Sequence, residues 1–85
     1  MSQMKVNVVF YGALKEYAGG KRQTLELAAD GVTVADLVDK IKLEYPALTP
    51  RLESVAYVVD DVLVDLDYAL RDGDEAALLP PVSGG

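Results

Sequence analysis

Apolar and polar residues alternate from Lys5 to Tyr11. Val6, Val8 and Phe10 fall on one side, and Asn7, Val9 and Tyr11 on the other. This period of two predicts a strand. From Gly12 to Ala18 the period lengthens: Leu14, Tyr17 and Ala18 share a face, which predicts a short helix stopped by Gly19-Gly20. Alternation returns at Gln23–Leu27, a second strand with Leu25 and Leu27 inward. The clearest helix follows. Thr33 is a good N-cap, and Asp36 completes a capping box. Leu37, Val38, Ile41 and Tyr45 form the apolar stripe, and Pro46 ends it. Ala47 to Glu53 reads as a loop with bends at Pro46 and Pro50.

Val55–Val59 is rich in β-branched residues and predicts a strand. Asp60-Asp61 reads as a turn, weaker than Asn-Gly, and Val62-Leu63-Val64 as the returning strand. Arg71-Asp72-Gly73-Asp74 is a strong turn signal. Glu75–Leu79 is the last strand and runs into Pro80. The order predicts an α+β fold, a mixed sheet with one main helix packed on it. A β-grasp arrangement fits, with the first and last strands adjacent in the middle. We expect residues 1–79 to form this domain and 80–85 an extended C-terminal tail.

Composition narrows the chemistry. The 85 residues suit one small domain, and 51% hydrophobic residues supply a core. Cysteine and histidine are both absent. Disulfides, thiolate nucleophiles, the commonest general base and the commonest zinc ligand are therefore excluded. The net charge of −6 argues against nucleic acid and fits a solvated surface or a basic protein partner. No apolar run reaches membrane-spanning length and no signal-peptide core opens the chain, so a cytoplasmic protein is expected. Asp60, Asp61, Asp65 and Asp67 crowd together but lack the spacing and glycine of a calcium loop, so no metal is expected there.

What remains is the sequence Leu79-Pro80-Pro81-Val82-Ser83-Gly84-Gly85. A terminal Gly-Gly carboxylate has no β-carbon beside it and can enter a channel too narrow for side chains. The two prolines fix φ and favour an extended exit. From Pro81 to Gly85 the reach is about 15 Å, at roughly 3.3 Å per residue. A partner enzyme can activate such a carboxylate as an acyl-adenylate, which a sulfur donor converts to a thiocarboxylate. A chance Gly-Gly ending would carry the same letters, so the tail alone leaves carrier and accident open.

The stretch Leu70-Arg71-Asp72-Gly73-Asp74-Glu75-Ala76-Ala77-Leu78-Leu79-Pro80-Pro81-Val82-Ser83-Gly84-Gly85 resembles the C-terminus of the molybdopterin synthase small-subunit family. Phe10-Tyr11-Gly12-Ala13-Leu14-Lys15-Glu16 resembles that family's first strand end and following helix, and Thr33–Tyr45 its main helix. Two positions depart. Lys15 stands where many members have Arg, and Asp60 where Asn is common.

The resemblance implies a ubiquitin-like β-grasp sulfur carrier with a flexible C-terminal Gly-Gly tail. It implies that an E1-like adenylating enzyme uses ATP to activate Gly85, with no cofactor bound permanently to this chain. It also implies that the Gly85 thiocarboxylate delivers sulfur to cyclic pyranopterin monophosphate inside the synthase large subunit. Gly84, Ser83 and Val82 would then line the partner channel, and Leu79, Pro80 and Pro81 would sit at its mouth. The assembly implied is a heterotetramer, a sulfurtransferase in which the isolated chain does no catalysis. Two alternatives stay within the fold: a thiazole-synthesis carrier, or a ubiquitin-like protein modifier. A third is a β-grasp binding module without carrier chemistry.

Overall fold

The computed structural model describes residues 3–28 and 32–80. The first strand, β1 (Gln3–Phe10), buries Met4, Val6, Val8 and Phe10 on one face, as the alternation predicts. Val9 points the other way and is nevertheless fully buried. On that outer face Val9 pairs with Arg22 and Asn7 with Glu75, and Arg22 and Glu75 form a 3.1 Å ion pair across β1. The short helix α1 (Leu14–Tyr17) follows. Leu14 and Ala18 are buried, but Tyr17 is not part of that apolar face. Its ring carries the Arg51 guanidinium at 4.3 Å, and its hydroxyl accepts from that group at 2.6 Å.

Strand β2 (Arg22–Ala28) pairs antiparallel with β1 and turns Leu25 and Leu27 inward. Helix α2 (Val34–Glu44) starts on the expected capping box. The Thr33 hydroxyl accepts from the Asp36 amide, and the Asp36 carboxylate accepts from the Thr33 amide at 2.9 Å. Two further first-turn donors are satisfied from a distance. The amides of Val34 and Ala35 donate to the carbonyls of Tyr68 and Leu66. A helix start whose orphan N–H groups are all paired is fixed in place. Leu37, Val38 and Ile41 are buried beneath it, and Tyr45 meets Phe10 edge-on at 5.9 Å.

The segment after Pro46 is not a loop. Pro46–Ser54 is 3₁₀-helical, with Leu48 and Leu52 buried. Proline lacks only an N–H, which the first positions of a helical turn do not use. Pro46 therefore starts this segment rather than breaking it.

Strands β3 (Ala56–Val59) and β4 (Val62–Val64) form a hairpin, and β5 (Glu75–Leu79) completes the sheet. Asp60 and Asp61 both have positive φ, 50° and 69°, the backbone of a two-residue primed turn. Within the described residues the strand order is β2-β1-β5-β3-β4. Strand β5 runs parallel to β1 and antiparallel to β3. This is the ubiquitin-like β-grasp, with the first and last strands side by side at the centre.

Candidate functional site

Ala76 and Leu78 of β5 point into the core, and Leu78 is completely buried between its partners Phe10 and Tyr57. A buried Leu side chain stabilises by about 1.5–3 kcal/mol. The strand that leads into Pro80 is thus clamped on both edges and on its inner face. The Tyr11 amide donates to the Leu78 carbonyl at 3.2 Å, carrying the ladder one residue past the end of β1. Pro80 is half-buried and lies over Gly12. With Ala13, Leu14, Pro50, Arg51 and Ser54 it lines a small open cavity of about 240 Å³.

The outer face of β5 is different. Leu79, Ala77 and Val58 form the apolar floor of a shallow groove of about 420 Å³. Tyr11 closes one side, and Asp60, Asp61 and Glu75 provide an acidic rim. Two cations lie against tyrosine rings nearby. Lys21 sits 5.2 Å from the Tyr11 ring centre, and Arg51 stacks on Tyr17. Among the described residues the Tyr57 phenol is the one buried side chain with a polar group, and no three His, Cys, Asp or Glu residues stand close enough to hold a metal. The described body is open around the end of β5.

Of the residues that the sequence nominates, Leu79 and Pro80 stand together at the end of β5, one exposed outward and one packed on Gly12. Pro81, Val82, Ser83, Gly84 and Gly85 lie outside the described residues. Sequence reasoning missed Gly12 and the Tyr17–Arg51 pair as neighbours of this site. Both contacts join segments far apart in the chain, and only the parallel β1–β5 pairing brings Gly12 to Pro80.

Residues 8–85 match the model of the ThiS family. The chain belongs to the ThiS family. It is 34% identical to the molybdopterin synthase sulfur carrier subunit of Mycobacterium tuberculosis, covering 96% of this chain and 99% of that one. Among solved structures it is similar to one chain of a complex between subunits 1 and 2 of molybdopterin-converting factor from Helicobacter pylori. That match has 35% identity, a TM-score of 0.66, and covers 96% of this chain and 100% of the other. A second solved structure, small archaeal modifier protein 1 from Methanosarcina acetivorans, superposes with a TM-score of 0.84 at 26% identity over the full length of both. Among the described residues of this ThiS-family chain, no helix is long and apolar enough to cross a membrane.

Proposed function

We propose that this protein is the sulfur-carrying small subunit of a heteromeric molybdopterin synthase. The observation that carries the reading is near end-to-end similarity to a named sulfur carrier subunit. With Gly85 as the terminal residue, an adenylating partner joins its carboxylate to AMP and releases pyrophosphate from ATP. A sulfur donor displaces AMP and leaves a thiocarboxylate. The large subunit then receives the tail, with Val82, Ser83 and Gly84 in its channel and Leu79, Pro80 and Pro81 at the mouth. Two thiocarboxylated chains in turn each deliver one sulfur to cyclic pyranopterin monophosphate to build the dithiolene, and water cleaves each acyl link to regenerate the Gly85 carboxylate. The chain works in the cytoplasm as part of a heterotetramer, and alone it turns nothing over. The mixed groove beside Leu79, with Asp60 and Asp61 at its rim, suits a large-subunit surface that places apolar groups against Leu79 and basic groups against the aspartates.

Deletion of Gly85 tests this. The truncated chain should melt like the full one and form no molybdopterin with the large subunit; full product formation would refute the carrier role. A second reading, a protein modifier, is favoured by the likeness to small archaeal modifier protein 1. It predicts isopeptide conjugates of Gly85 on target lysines, visible by mass spectrometry, where the carrier reading predicts none.

A further inference from the structure

Pro80 ends the ladder because it has no N–H to donate. Beyond the Leu79–Ala56 pair, then, the direction of the chain rests on how the Pro80 ring is packed. Gly12 supplies the surface beneath it. Gly12 has φ +61°, in the left-handed region, and a β-carbon added there would stand 2.9 Å from Pro80 Cγ. Real β-carbons essentially never approach that closely, so a side chain at position 12 forces the ring and the backbone beneath it to shift apart. We propose that Gly12 is a positioning residue for sulfur transfer, the seat on which Pro80 rests and which sets the direction in which the chain leaves β5. The proposal rests on the carrier reading. Gly12 touches no reacting atom; it acts through Pro80.

A convenient control exists in the same protein. Gly73 also has positive φ, +88°, but a β-carbon there meets nothing within 4 Å. Gly73→Ala therefore imposes comparable backbone strain far from Pro80, without the steric push.

The test is single-turnover sulfur transfer from thiocarboxylated chains at saturating large subunit. It uses wild type, Gly73→Ala, Gly12→Ala, Pro80→Ala and the Gly12→Ala/Pro80→Ala double variant. Misplacing a reacting group by about 1 Å costs on the order of 100-fold in rate. Gly73→Ala should transfer at the wild-type rate. Gly12→Ala should fall toward that 100-fold loss at saturation, with little change in the half-saturating concentration. Pro80→Ala should also be slow, and the double variant no slower than Pro80→Ala, because the ring that the new methyl would strike is gone. The proposal is overturned if Gly12→Ala matches Gly73→Ala, or if the two losses multiply in the double variant. Should Gly12→Ala fail to fold, Pro80→Ala alone decides, and a wild-type rate overturns the proposal. A wild type that transfers no sulfur is a distinct result: it refutes the carrier reading and the proposal with it.

Discussion

Leu78 and Leu79 are neighbours with opposite jobs, and truncating each to Ala should separate stability from binding. Leu78 has no exposed surface and lies between Phe10 and Tyr57. Removing its isobutyl group from the centre of the sheet leaves a cavity that rigid strands cannot collapse, so the cost falls at about 3–5 kcal/mol. A chain of 85 residues has a total stability of about 4–13 kcal/mol. Leu78→Ala therefore consumes a large share of it. Even a 3 kcal/mol loss lowers the melting midpoint by roughly 12–24 °C. Leu79 is 36% exposed on the outer groove, and its truncation should cost clearly less than that of Leu78, about 1–2 kcal/mol for the part of its side chain that is covered. Its loss should appear in affinity for the large subunit, reduced about 10-fold, as for an apolar residue near the middle of an interface. Urea titration followed by circular dichroism gives the first quantity, and calorimetric titration with the large subunit the second. Equal destabilisation by the two variants, or wild-type affinity for Leu79→Ala, would refute the two-faced reading of β5.

Two further outcomes are expected. Replacing Asp60-Asp61 by Asn-Gly suits the positive φ of both positions and should raise stability by about 1 kcal/mol; no gain in the melt would mean that the aspartates carry no strain there. Burial raises the pKa of the Tyr57 phenol, whose hydroxyl donates to the Leu52 carbonyl at 3.3 Å. The unfolded phenol ionises near pH 10 while the native one stays neutral, so its contribution is intact below about pH 10 and lost as pH rises through the native value. Tyr57→Phe should flatten that alkaline loss, and an unchanged slope would assign it to other groups.

The sequence was most legible where structure is set locally. Thr33 and Asp36 are three residues apart and cap the same helix, so their pairing reads directly from spacing. Glu75–Leu79 read as the last strand, and the turn chemistry of Arg71–Asp74 was explicit, but Ala76-Ala77-Leu78-Leu79 does not alternate, so which side of β5 is buried shows only in the fold. Pro46–Ser54 was opaque because two prolines suggest a loop, although Leu48 and Leu52 carry helical spacing. Tyr17 looked like core by periodicity, yet its exposed ring is used by Arg51, which comes from that same unread segment. Gly12 was read as the start of a short helix. Its role against Pro80 depends on a parallel pairing between the two ends of the chain, which no local pattern encodes.

Gly85 is proposed to carry the sulfur. Incubating the full chain with the adenylating enzyme, ATP and a sulfur source, then measuring intact mass, tests it directly. The expected result is a mass gain equal to one oxygen replaced by sulfur, localised to Gly85 by fragmentation and absent when ATP is withheld. An unchanged mass, under conditions in which the same enzyme thiocarboxylates an established carrier, would contradict it.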